Sequence, residues 1–471
     1  MPSMRSEHAD RFVDRPKLLT AQADTLNVAR KIKAHLTPDQ APALRAILTA
    51  QHPADLADAM LFLNEQEDLA VFKQLDTVEA AEVLDEVDAT TEATLAKATS
   101  PEQLAAMLQA MPFDEGADVL SALPKDQAEQ VLALTDSATA TGIRTLLVYP
   151  KDTAGGLMSL GFVAVPATAT QAQALQQFGA TTDAEQIFYV YVVDDQGGLQ
   201  GAVNLRRLIA ADPTALMRDL LTDEVVSVPP TCDREQAANI FARYDLTALP
   251  VVADDPGKRL LGVITADDII DVIRQEYFDD LAHLAGSDAQ ELENKTPVQV
   301  AKLRLPWIMA TMFIELLAGV VIHVFDKTLT AFILLASFMP IISAISGNTG
   351  LQSAAIIIRG LSTGHVQLAH WRHAVVRQLV TTMILGGACG LVLGVIGAIW
   401  AGNWAFGLVI FLGMFASVNI AGAVGTVVPL ISKRAGFDPA LTAGPFETAF
   451  QDVIGISIFL GLATLLLRWL T

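Results

Sequence analysis

Three carboxylates stand in places where carboxylates are costly. Glu315, Glu447 and Asp452 fall inside, or at the start of, long apolar runs in the last third of the chain. An ionisable side chain in such a run is a functional hypothesis by default, because only a partner or a bound ion offsets its desolvation. Isolated carboxylates of this kind can ligate a hard cation through oxygen or relay a proton. Glu315 is expected to pair or to line a crevice. No phosphate-cradling Gly-rich loop with its Lys and no nucleophile-base arrangement is legible, so the chain does not read as an enzyme. His365, His370 and His373 lie in an Arg-rich loop and read as interfacial residues, not metal ligands. Cys232 and Cys389 are the two cysteines, one in the soluble part and one in the apolar part, so neither a disulfide framework nor a thiolate metal site is expected.

The elements that must position these acids are membrane helices, since roughly 20 apolar residues suffice to cross a bilayer. Five runs qualify: Leu305 to Phe325, Leu329 to Ile345 with a possible extension over Gln352 to Ile358, Leu379 to Trp400, Phe406 to Ile431, and Thr448 to Leu470. Lys302 and Arg304, then Arg359, Arg372 and Arg377, then Lys433 and Arg434 mark the segments expected to be cytoplasmic. The N-terminus is therefore expected inside and the C-terminus, with Arg468, outside. The first 30 residues show no secretory signal.

Of the 31 basic and 52 acidic residues, seven and five lie beyond Leu305, leaving 24 and 47 in the preceding 304 residues. A soluble part at −23 argues against nucleic acid, which needs a basic surface, and suits cations. Residues 1–25 read as a disordered tail. From 26 to 148 short helical stretches recur with similar openings, such as Asp76-Thr-Val-Glu and Ser100-Pro-Glu-Gln, and predict an all-α superhelical domain.

From 149 to 273 one pattern occurs twice: Phe188-Tyr-Val-Tyr-Val-Val-Asp-Asp-Gln-Gly and Leu249-Pro-Val-Val-Ala-Asp-Asp-Pro-Gly each read as strand, acidic Gly turn, strand and helix. Upstream strands are expected over Val163 to Pro166 and Val225 to Pro229. The two copies, about 156–213 and 214–273, resemble a tandem pair of CBS domains, an α/β fold that usually senses ligands.

Further motifs tighten the resemblance. Tyr149-Pro-Lys-Asp-Thr-Ala-Gly-Gly-Leu-Met158, Gly347-Asn-Thr-Gly-Leu-Gln-Ser353 as a turn closing the second span, Asn419 through Pro429 in the fourth, and Asp438-Pro-Ala with Asp452-Val-Ile-Gly455 are together similar to the MgtE family of magnesium channels. Leu351 and Glu447 depart from the family pattern. The resemblance implies a multidomain membrane protein: helical N domain, CBS pair, connecting plug helix over 274–303, and a five-helix transmembrane domain over 304–471. It also implies a homodimer in the bacterial inner membrane that imports Mg²⁺ and is shut by cytosolic Mg²⁺.

Site residues follow from the same resemblance. Asp452 is implied as the pore carboxylate, one from each subunit engaging the waters of a hydrated ion. Thr448 and Ala449, a helical turn earlier, are expected on its face, and Asn348, Gly350 and Asn419 are expected to contribute oxygens. Asp152, Asp245, Asp267, Asp271 and Asp438 are the implied regulatory sites, Asp438 sharing an ion with the plug helix. Some family members bind ATP between CBS domains, which implies Thr265 and Asp268 here; Arg207 stands at the equivalent acid position of the first copy. A secondary transporter of Co²⁺ or Mn²⁺ and a non-transporting CBS sensor in the membrane remain alternatives.

Overall fold

The computed structural model describes residues 21–180, 188–221, 225–284, 287, 297–366 and 368–466. Residues 1–20 of the expected tail, much of the plug segment between 285 and 296, and Arg468 lie outside these residues, while residues 21–25, expected to be disordered, open the helix Ala21–Ala34. The chain divides into two compact units, Met1–Ile273 and Arg274–Thr471.

In the first unit short helices are started by side chains that the sequence places at their N-caps. Asn64 and Asp76 form capping boxes with Glu67 and Glu79, while Asp88, Ser100 and Asp136 accept backbone N–H groups of their helices. Each helix packs on the next but one: Pro53–Met60 on Thr77–Glu86, then Pro101–Leu108, then Lys125–Leu134; and Glu65–Phe72 on Ala89–Ala98, then Phe113–Ser121, then Ser137–Leu146. Leu84, Leu95, Leu104, Leu108, Leu120 and Ile143 are fully buried between the rows, each contributing on the order of 2 kcal/mol through apolar burial. The apolar core continues into the second CBS half through Ala154, Met158, Leu249, Val251 and Ile264.

The CBS halves are built on short strands. β1 (Val163–Pro166) pairs parallel with β2 (Tyr189–Val193), and β2 pairs antiparallel with β3 (Leu199–Asn204). In the second half β4 (Ala248–Val252) pairs antiparallel with β5 (Leu260–Thr265). The expected strand over Val225 to Pro229 is reduced to one parallel bridge, Val228 to Val251; Pro229 and Pro230 follow at once and carry no N–H for a ladder.

Among its described residues the second unit contains five helices long and apolar enough to cross a membrane: Pro297–Val324, Leu335–Ser362, Trp371–Ala401, Trp404–Ala435 and Pro445–Leu465. Leu329, expected in the second span, belongs to a separate short helix, Asp326–Ala331. The second span also runs straight through Gly347 to Ser353, so the expected closing turn is absent and the motif sits mid-helix. The third and fourth helices approach at glycines spaced by four residues or nearly so, Gly386, Gly390, Gly394 and Gly397. A Cβ on Gly394 would lie 2.8 Å from the carbonyl oxygen of Gly407, the close approach that small residues allow between membrane helices.

Candidate ion site

Asp452 lies in the second turn of the fifth membrane helix, half-buried within the chain. Ser343 of the second helix donates its Oγ hydrogen bond to Asp452 Oδ1 at 2.5 Å, which orients the carboxylate. Glu315, on a first helix whose one buried residue among those described is Ala318, is in side-chain hydrogen-bonding contact with Asp452. Among the described residues neither acid forms an ion pair, so Arg359 and Arg377 do not neutralise Asp452. Two facing carboxyl groups without a base can hold a cation or share a proton.

The other expected pore residues divide. Thr448, one turn before Asp452, is half-buried and donates to the carbonyl of Gly444 at 3.2 Å. Its γ-methyl group lies 3.2 Å from where a Cβ on Gly347 would be, so the glycine makes room for it. Asn348 is exposed on the second helix. Ala449, three residues before Asp452 and so close to it round the helix, is 2% exposed and packs inward. Asn419 is also engaged elsewhere: its Nδ2 donates to the Phe415 carbonyl at 2.7 Å and its Oδ1 accepts from Thr382 at 3.3 Å, which ties the third and fourth helices together. Gly350 abuts the side chain of Gln451.

At one end of this unit Asp438 caps the helix Pro439–Thr442 through Oδ1, accepting from the Ala440 N–H at 2.8 Å. Its Oδ2 is 3.0 Å from His283 Nδ1, on the helix Ala266–Leu284, and Ser362 donates to Asp280 of that helix at 3.1 Å. The plug segment thus meets the membrane helices through His283 and Asp280.

In the soluble unit the sequence-predicted acids are dispersed. Asp152, Asp245 and Asp267 are exposed, Asp245 with a left-handed backbone at φ +50°, and Asp271 faces Glu86. A denser acidic cluster escaped the sequence reading. Burial, opposed by a hydrogen bond from Thr265 and reinforced by Asp114 and Asp267, pushes Asp268 up to about 7. Burial likewise lifts Asp114 to about 6 and raises Glu115, which also hydrogen-bonds Asp85. The Thr265 hydroxyl donates to Asp268 at 2.7 Å, so the two residues expected at a nucleotide engage each other. Asp85 and Asp268 are 183 positions apart in the chain, and no local pattern links them. Among the described residues no group of three or more His, Cys, Asp or Glu is arranged to hold a metal ion.

Five long apolar helices among the described residues, with an acid pair on the first and fifth, together with a CBS pair and a helical domain, define a membrane transporter of cations. The chain matches the family models for a divalent cation transporter over residues 339–462, the MgtE intracellular N domain over 51–152 and the CBS domain over 217–275. It is 33% identical over 442 residues to the magnesium transporter MgtE of Thermus thermophilus, covering 90% of this chain and 95% of that one. It is 33% identical to that of Enterococcus faecalis over 71% of this chain and 73% of that one. The chain therefore belongs to the MgtE family of magnesium transporters, and is a transporter, not an enzyme. Among solved structures it is similar to the soluble part of a magnesium transporter (33% identity, 54% of this chain and 99% of that one, TM-score 0.47). It is also similar to the cytosolic domain of the Mg²⁺ channel MgtE in complex with ATP (35% identity, 52% of this chain and 99% of that one, TM-score 0.48).

Proposed function

We propose that this chain imports Mg²⁺ across the bacterial inner membrane as a homodimer, with N-terminus inside and C-terminus outside, through a pore on the two-fold axis centred on Asp452. The observation that carries this reading is Asp452 itself: oriented by Ser343, paired with Glu315 and free of any basic partner among the described residues. Mg²⁺ gives up its octahedral water shell reluctantly. Carboxylates from two subunits can hold the hydrated ion through its waters, and two-fold symmetry is the commonest way to bring them together. Thr448, Asn348 and backbone oxygens near Gly350 serve as further acceptors.

Cytosolic Mg²⁺ closes this pore by bridging acids. Two like charges about 4 Å apart repel by roughly 4 kcal/mol at an effective dielectric near 20, so a bridging cation shifts a domain equilibrium strongly. Asp152, Asp245, Asp267 and Asp271, the cluster of Asp85, Asp114, Glu115 and Asp268, and Asp438 are the acids through which this acts. We infer ATP as a second regulatory ligand at Thr265 and Asp268, whose mutual hydrogen bond is then exchanged for bonds to the nucleotide.

The test is Mg²⁺ flux into proteoliposomes with internal Mg²⁺ varied. Flux that falls as internal Mg²⁺ rises, and is lost in Asp452→Ala, supports pore and sensor together; flux that survives the substitution removes Asp452 from the pore. The pairing of Glu315 with Asp452 favours a second reading, a proton-coupled transporter, because facing carboxyls can share one proton. Dependence of flux on a pH gradient distinguishes it.

A further inference from the structure

The fifth membrane helix carries a second polar surface, one that turns into the bundle. Glu447 and Gln451, one helical turn apart, are each 3% exposed. Gln451 Nε2 donates to Glu447 Oε1 at 2.5 Å and to the Ala421 carbonyl at 3.3 Å. Glu447 Oε2 and Gln451 Oε1 are buried and have no hydrogen-bond partner.

Two glycines make this arrangement possible. A Cβ on Gly425 of the fourth helix would lie 2.7 Å from Glu447 Oε1 and 2.3 Å from the carbonyl oxygen of Gly350. A Cβ on Gly350 of the second helix would lie 2.0 Å from Gln451 Nε2 and 2.3 Å from Gln451 Oε1. The carboxylate, the amide and the Gly350 carbonyl thus share the space that two side chains would otherwise fill. The one amide nitrogen serves Glu447 Oε1 and the Ala421 carbonyl, and two further oxygens, Glu447 Oε2 and Gln451 Oε1, are left over. An acceptor surplus in a dry interior is costly as it stands. A cation converts it into a coordination shell.

We propose that Glu447, Gln451 and the Gly350 carbonyl form a binding site for a dehydrated monovalent cation of the Na⁺ class, which ties the second and fourth membrane helices to the fifth. The charge supports a monovalent ion, since the one carboxylate has no ion-pair partner among the described residues. The packing at Gly350 and Gly425 excludes a magnesium ion with its waters, which needs a full octahedral shell. The site's side chains point into the bundle and Asp452 is not among them; the backbone at Gly350 is the one part that it shares with the acceptors of the proposed pore.

Equilibrium binding of ²²Na⁺ to the purified full chain tests this, in choline chloride at constant ionic strength, with thermal unfolding followed in parallel. The expected result is about one Na⁺ per chain, retained in Asp452→Asn, lost in Glu447→Gln and weakened about tenfold in Gln451→Met. The unfolding midpoint rises with Na⁺ only where binding survives. Binding that persists in Glu447→Gln, or that disappears in Asp452→Asn, overturns the proposal. So does an unaltered chain that neither binds Na⁺ nor gains stability from it, which leaves Glu447 holding a proton. If Glu447→Gln fails to fold, the unaltered chain and Gln451→Met decide the matter.

Discussion

The carboxyl groups of Glu315, on the first membrane helix, and Asp452, on the fifth, are in side-chain contact, while Ser343 holds Asp452 from the second. Three helices therefore converge on one acid pair. If both acids face the conducted ion, they differ in what they do: Asp452 is oriented by the Ser343 hydroxyl, and among the described residues no hydroxyl or amide donor orients Glu315. Asp452→Ala is expected to abolish Mg²⁺ flux. Glu315→Gln is expected to keep it and raise the half-saturating Mg²⁺ about tenfold, the effect of roughly 1.4 kcal/mol in ion binding. Concentration-dependent uptake into proteoliposomes measures both.

Asp68 offers a pH test away from the membrane. It is 4% exposed in the helical domain, and burial, then the neighbouring Asp88 and Glu67, raise it to about 7, with Lys33 acting the other way. A carboxyl raised from its usual 3.8 binds protons more tightly folded than unfolded. Its contribution is complete below about pH 4 and is lost as pH rises through about 7. Asp68→Asn is expected to flatten the fall in stability over that window and to stabilise the chain by about 2 kcal/mol at pH 8, read from unfolding midpoints against pH.

The contact of Gly425 with Gly350 and Glu447 leaves no room for a methyl group. Gly425→Ala is expected to cost about 1–3 kcal/mol through overpacking. Gly319, with nothing within 4 Å of an added Cβ, is the control: Gly319→Ala is expected to be neutral or mildly stabilising. Thermal unfolding in detergent separates the two.

The cluster of Asp85, Asp114, Glu115 and Asp268 predicts a regulatory phenotype. Asp268→Asn removes one of its charges and is expected to raise the internal Mg²⁺ that half-inhibits flux by several-fold, with the uninhibited rate unchanged. Flux measured across a series of internal Mg²⁺ concentrations checks this.

Most of the fold was legible because its signals are local. Asp, Asn and Ser at the N-caps announce the short helices, and 20-residue apolar runs announce the membrane spans. Asp452 stands out in the sequence for the same reason, as a charge in an apolar run. What failed was non-local. Gly347 to Ser353 read as a turn because Gly and Asn usually end helices, yet Gly347, Gly350 and Ser353 are buried mid-helix at contacts with neighbouring spans. The burial of Ala449 and the hydrogen bonds of Asn419 to Phe415 and Thr382 are likewise set by packing that no local pattern announces. The acidic cluster was hidden because a soluble acid is ordinarily solvated, and only the packing of helix against strand reveals which ones are not.

The alternating stack of short helices bears on how the chain is made. Each helix from Pro53–Met60 to Ser137–Leu146 packs on partners one or two elements away, so its contacts close short loops and form quickly. The helical domain can be complete while later segments are still being synthesised. Asp85, Asp114 and Glu115 are then already fixed, and already repel one another, when the helix Ala266–Leu284 delivers Asp268, so only the repulsion of that fourth acid falls on the last docking step.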